Sequence, residues 1–492
     1  VRTNEGKWFG LQPAGTPWFV PKKNRRIFMT FQKLTSVFAI CLALGFGCGS
    51  VEAAAKAGET VLHTFMGLDG EYVVSGLIVG ATGNIYGTAR NGGGTSCVDY
   101  WTSGTVGCGV IFELTPPVGS ETSWTEHTLH TFTGGADGAF PETLLLGDGV
   151  LYGTTASGGP GAKSGSGSGV LFELVAPKVA GGAWIEEVLH NFCGEHNCVD
   201  GAAPGDGLLL SKGSLFGTTA YGGANGNGTV FKYTLATSTA PEEFASLYSF
   251  KGFSDGAFPF YGVVSDVNGI LFGVTYAGGG TGCANKNGCG VVYELKPTLG
   301  GGSYEEEVIY AFQGEPDGAQ PAGRLLMLPK PVGSYQLVGV AGGGGDANYG
   351  AIFQLTNNGG PNGPAWTEQI LTDFGIPDMD PPDSSYPNGN LVLASDGSIW
   401  GTTWGGGDTD TQLGFFYPGT IFQLQKPSQG NGQWSRNNRY SFQGGTDGVL
   451  PAWGLISGPN NSFYGTTSAG GSFSCPAQKD IGCGTVFQFV PF

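Results

Sequence analysis

Trp124 to Leu174 reads WTEHTLHTF, a turn holding Asp137-Gly138, then PETLLLGDGVLYGTTASGG and, after a Gly/Ser stretch, GVLFEL. Short apolar segments punctuated by Gly, Asp and Ser make four candidate strands. Adjacent apolar residues such as Leu151-Tyr152 and Leu171-Phe172 put greasy side chains on both faces of one sheet, so both faces must be covered. Aligning the chain on the glycine of LYGTT recovers Gly87, Gly153, Gly217, Gly273, Gly339, Gly401 and Gly465, spaced by 66, 64, 56, 66, 62 and 64 residues. A strand of the form Gly-x-apolar-aromatic follows each, as Ile111-Phe112, Leu171-Phe172, Val230-Phe231, Val292-Tyr293, Ile352-Phe353, Ile421-Phe422 and Val486-Phe487. Two motifs recurring seven times define a tandem array.

The period is well above the ~20 to 30 residues of a β-solenoid coil, the main alternative. Radially stacked blades would cover both sheet faces, and ring closure would remove the exposed ends. The expected fold is therefore all-β, a seven-bladed β-propeller of four-stranded blades. The array starts at TVLHTF (Thr60 to Phe65) and ends at GTVFQF (Gly484 to Phe489), so the first copy has a spare LHTF-type strand and the last lacks one. The N-terminal strand is expected to complete the last blade beside residues 450 to 489 and close the ring.

Composition agrees. The 492 residues include 92 Gly and 28 Pro, only 12% are charged and 40% are hydrophobic, which suits many short strands rather than long helices or disorder. Seven of the 22 Lys+Arg and two of the 39 acids lie in residues 1–55, leaving the remainder at a formal −22. Such a charge argues against nucleic acid or an anionic membrane as partner. Met29, Lys33, the apolar run Leu34 to Phe46 and Ala53-Ala54-Ala55 read as a signal segment whose true start is Met29. The run is shorter than the ~20 apolar residues of a membrane span. The expectation is a targeting segment over 1–55, one repeat domain over 56–492, no membrane span in the mature protein, and a secreted, periplasmic or cell-surface monomer.

Cys41 and Cys48 fall in the presumed signal; the other eight cysteines form close pairs, Cys97/Cys108, Cys193/Cys198, Cys283/Cys289 and Cys475/Cys483. On an exported chain these read as local disulfides. Zinc is the alternative, although no pair has C-x-x-C spacing.

The L-Y-G-T-T, Gly-Gly, G-T-V-F succession resembles the GloVer tandem-repeat family over about residues 60 to 492, best around Gly153, Gly217 and Gly465. The fifth copy departs, with Leu337-Val338-Gly339-Val340. The resemblance implies an exported or surface bacterial protein and brings no established reaction or substrate. Relatives of this kind carry C-terminal anchors; with Phe492 directly after the last strand, none is expected here.

A second repeated signature is the turn aspartate: Asp69, Asp137, Asp200, Asp255, Asp317, Asp383 and Asp447, six of them followed by Gly. It reads either as a turn cap or as a ring of carboxylates for calcium or sugar hydroxyls. His63, His130 and His190 share a position with Tyr248, Tyr310, Thr372 and Tyr440, which is not how a general base behaves. More individual are two loops. One carries Tyr100 and Trp101, the other Asp408, Asp410, Phe415, Phe416 and Tyr417, and aromatics beside carboxylates suit sugar stacking. The leading functional expectation is a non-catalytic propeller binding a glycan, cation or surface protein, with no resident cofactor unless calcium. The alternative is a carbohydrate-active enzyme using channel-lining carboxylates.

Overall fold

In the computed structural model the described residues are 58–74, 76–99, 104–160, 167–179, 181–280, 283, 287–298, 303–330, 334–357, 366–375, 384–407, 418–427, 433–471, 475 and 482–491. The chain divides into Val1–Lys56 and Ala57–Phe492, and all that follows concerns the second unit. The protein is all-β. Among the described residues, helix is confined to three-residue 3-10 turns at His196–Cys198, Gly445–Asp447 and Pro459–Asn461. No helix among them is long and apolar enough to cross a membrane.

The quoted stretch forms an antiparallel sheet in chain order, Ala139–Gly147, Val150–Ser157, Val170–Val175 and Ile185–Asn191. The LHTF-type strand thus belongs to the sheet before it, because its own copy begins only after the Asp turn. The same order recurs from Ile78–Val79 to Thr125–Thr131, from Val264–Ser265 to Tyr304–Ala311, and twice with the first strand interrupted, from Ala202–Pro204 to Glu243–Ser249 and from Gly318–Pro321 to Trp366–Asp373. An eight-stranded sheet holds two further groups, Ser384–Leu393 to Ser435–Ser441 and Val449–Ser457 to Thr485–Val490, joined by one parallel bridge between Asn390 and Gly454. At its edge Gly58–Thr64 pairs antiparallel with Thr485–Val490, Gly58 opposite Val490 and Thr64 opposite Thr485.

Within each group the motif glycine lies directly across from the motif aromatic, for example Gly153 with Phe172 and Gly465 with Phe487. The ring folds back over the glycine. A Cβ placed on Gly217 would come 2.5 Å from Phe231 Cζ, and the other six copies are equally close-fitting. These glycines are needed for close approach, not for an unusual backbone. The LHTF phenylalanine then meets that ring from the neighbouring group: Phe65–Phe112, Phe132–Phe172, Phe192–Phe231, Phe250–Tyr293, Phe312–Phe353, Phe374–Phe422 and Phe442–Phe487 have centroids 4.9 to 5.5 Å apart. Buried clusters accordingly draw on two successive groups, as where Tyr152 and Leu171 pack with Leu215, Phe231 and Tyr233. The core sits between sheets.

Gly217→Ala is expected to lower stability by roughly 1–3 kcal/mol through overpacking. Adding Phe231→Leu should recover part of the loss, so that urea unfolding of the double variant shows a cost smaller than the sum of the two single ones.

Candidate functional site

Where the LHTF strand meets the motif aromatic, the register shifts by one residue, as between Ile111 and Phe112 or between Val230 and Phe231. Such a bulge re-aims side chains. It leaves the His or Tyr of the strand facing the Asp of the following turn. His63 Nε2 lies 2.9 Å from Asp69, and His190 Nε2 lies 3.1 Å from Asp200. His130 stands 3.6 Å from Asp137. The hydroxyls of Tyr248, Tyr310 and Tyr440 donate to Asp255, Asp317 and Asp447 at 2.7, 3.0 and 2.9 Å.

Each of these carboxylates also accepts a backbone N–H from the start of its turn: Met66 to Asp69 and Thr133 to Asp137 at 2.8 Å, Gly194 to Asp200 at 3.3 Å, Lys251 to Asp255 at 3.0 Å, and Gln313 to Asp317 and Gln443 to Asp447 at 2.8 Å. The arrangement closes a turn. A His and a Tyr serve alike because each presents a polar hydrogen at about the same reach. Thr372 instead turns its hydroxyl to the Asp373 carbonyl. Asp383, Tyr100, Trp101, Asp408, Asp410, Phe415 and Tyr417 lie outside the described residues.

A third member of this set comes from the next LHTF strand, four residues before its His or Tyr. The Tyr248 hydroxyl lies 3.2 Å from Glu306, and that of Tyr440 lies 3.4 Å from Glu59. Glu186 feels the His130–Asp137 pair, and Glu368 feels Asp317. Burial, helped by the nearby aspartate, pushes the carboxyls of Glu59, Glu186, Glu306 and Glu368 up from 4.5 to about 7. In each of these four, Oε1 is buried without a hydrogen-bond partner, which favours the protonated form further. In the third group Phe244 takes the glutamate's place and stacks on His190 at 3.7 Å.

The disulfides are Cys97–Cys108, Cys193–Cys198, Cys283–Cys289 and Cys475–Cys483, each within one loop. Glu71 lies beside the last pair, but both sulfurs are spent in the disulfide and leave zinc no thiolate there.

A different set of residues gathers where the first strands of the groups meet. Asp206 N–H donates to the Phe260 carbonyl at 2.8 Å, Gly389 N–H to the Ala322 carbonyl at 2.8 Å, and Arg324 N–H to Asn390 Oδ1 at 3.1 Å. Contacts also skip groups: the Arg324 guanidinium reaches the Leu208 carbonyl at 3.5 Å, and the Tyr261 and Trp453 rings stand 5.8 Å apart. Glycine permits this crowding, since at Gly262, Gly323, Gly389 and Gly454 a Cβ would strike neighbouring backbone.

Asp206 is 4% exposed. Burial pushes its carboxyl up to about 7; Arg324 opposes the shift, Glu142 adds to it, and Thr143 donates to the carboxylate. Glu142 in turn pairs with Arg90 at 3.3 Å. Trp453 Nε1 and Asn388 Oδ1 are buried with no protein partner. Sequence reasoning passed over this cluster because its members differ from copy to copy. Their one common signal is position, one to three residues after the proline of the turn, as in Pro141-Glu142, Pro204-Gly205-Asp206, Pro259-Phe260-Tyr261 and Pro451-Ala452-Trp453.

An all-β tandem-repeat protein is thus defined, one whose repeated polar residues hold turns while its unrepeated ones converge. Residues 99–328 match the family described as the Gloeobacter/Verrucomicrobia repeat, and this segment carries that repeat. No curated protein matches the sequence. Among solved structures the chain is similar to a europium-containing methanol dehydrogenase, at 11% identity over 88% of this chain and 93% of that one with a TM-score of 0.44. It is also similar to the K499G mutant of NanB sialidase from Streptococcus pneumoniae, at 10% identity over 89% and 71% with a TM-score of 0.41. A protein of unknown function from Dyadobacter fermentans gives 12% identity over 88% and 98% with a TM-score of 0.39. None of these is close enough to lend its activity.

The four raised glutamates fix a pH dependence. Their folded-state values lie above the ordinary 4.5, so their contribution to stability is complete below that value and is lost as pH rises through about 7. The melting temperature is expected to fall between pH 5 and pH 8, and Glu306→Gln with Glu368→Gln should flatten that fall by raising stability at pH 8, read by calorimetry.

Proposed function

We propose that the sheet groups are seven blades of one β-propeller closed by Gly58–Thr64, and that the protein is an exported, non-catalytic binding or display module. In this reading residues 1–55 address the chain to the secretory route and 56–492 form the propeller. The observation that carries it is the use of the repeated Asp, His and Tyr: in five copies they hydrogen-bond to one another, and the aspartates also hold their own turns, a structural use of these residues. Four disulfides fit an oxidising compartment. The pairing of the first strand with the last supports ring closure, since an unpaired Thr485–Val490 edge would invite aggregation. The loop residues Tyr100, Trp101, Asp408, Asp410, Phe415 and Tyr417 remain candidates for contacting a glycan or surface protein, and the turn aspartates remain candidates for calcium.

A second reading, a carbohydrate-active enzyme, is favoured by one specific feature: Asp206 and Glu142 are unrepeated carboxyl groups that influence each other. Asp206, held near 7, would suit a general acid and Glu142 its partner. Turnover of nitrophenyl glycosides that disappears in Asp206→Asn would decide for this reading.

Closure has its own test. Deleting Gly58 to Phe65 should lower the melting temperature far more than deleting residues 1–55 and should promote self-association, seen by light scattering. An unchanged melting temperature after the first deletion would refute the closed ring.

A further inference from the structure

We infer that the residues converging from the first strands, Asp206, Tyr261, Arg324, Asn388 and Trp453, form a binding site for a neutral polyhydroxylated ring, that is, a sugar. This rests on the binding role proposed above and names its site and ligand class. Three features of the cluster carry it.

The first is charge. Asp206 faces Arg324, and Glu142 is paired with Arg90 at 3.3 Å. Each acid thus has a basic neighbour, so the site presents no block of one sign for an ionic ligand to neutralise. The second is the unmet hydrogen-bonding capacity. The Trp453 indole N–H is a donor and the Asn388 amide oxygen an acceptor, and both are buried without a protein partner. A buried polar atom left unpaired costs about 1–3 kcal/mol, so a molecule presenting both donor and acceptor groups gains by filling the site. A hydroxyl does both. The third is shape. The rings of Tyr261 and Trp453 are inclined at 60° with centroids 5.8 Å apart, an apolar corner against which C–H faces of a sugar pack. Tyr261, Arg324, Asn388 and Trp453 each keep part of their surface exposed.

The groups arrive from different copies, and none is repeated at its equivalent position. This distinguishes them from the turn aspartates, which recur at one position and each accept a backbone N–H of their own turn in the described copies.

The test titrates the full chain with D-glucose, D-galactose, D-xylose and L-arabinose, and separately with sodium sulfate and sodium acetate, following tryptophan fluorescence and heat. At least one neutral sugar should saturate, with affinity weakened tenfold or more by Trp453→Phe and by Asp206→Asn, while the exposed Val267→Ser binds as the parent does. Tyr261→Phe serves as a further variant should either of the first two fail to fold. Sugar binding that survives the central variants and is lost in Tyr417→Ala would overturn the inference and leave the binding role standing. Saturation by sulfate or acetate alone would overturn it in favour of an anion site. Saturation by none of the four sugars would overturn it as well.

Discussion

An aromatic ring laid across a glycine on the neighbouring strand is the contact from which the rest of this protein follows. The glycine provides the space, the ring fills it, and a phenylalanine from the adjoining group closes against the ring's edge at 4.9 to 5.5 Å. One small residue and two large ones therefore do both jobs a repeat needs, packing within a sheet and packing between sheets. A four-stranded sheet alone would expose greasy surface on both faces, so no copy is stable without its neighbours.

The polar counterpart of this contact is less favourable. The turn aspartate accepts a backbone N–H and faces His or Tyr, but the glutamate approaching from the next group brings a second carboxyl into the same half-buried space. Like charges that close are accommodated by retaining a proton. The array thus holds its groups together by apolar contact while a series of titrating carboxyls opposes it at higher pH. In the third group the conflict is removed altogether, with Phe244 stacked on His190 where a glutamate stands elsewhere.

At the meeting point of the first strands the logic of repetition gives way. Space there is so limited that four glycines let backbones touch, yet the same short segments bring in Asp206, Tyr261, Arg324 and Trp453, each from a different copy. A repeat makes equivalent surfaces. Where first strands of several copies meet, a change in one of them creates a unique environment, and a unique environment is what selective binding requires.

The sequence by itself determined the number and spacing of the repeated motifs, the pairing of neighbouring cysteines and the turn role open to the aspartates. Each of these depends on residues near one another along the chain: Gly153 and Phe172 are 19 positions apart, and the cysteines of each pair at most 11. The tertiary structure alone decided that Glu306 would press on Asp255, and that Arg324 would reach past one group to Leu208. Those contacts join residues 51 and 116 positions apart, and no spacing rule encodes them. They arise because bulges turn particular side chains toward the next sheet and because short first strands run together, and both are consequences of packing whole groups against one another.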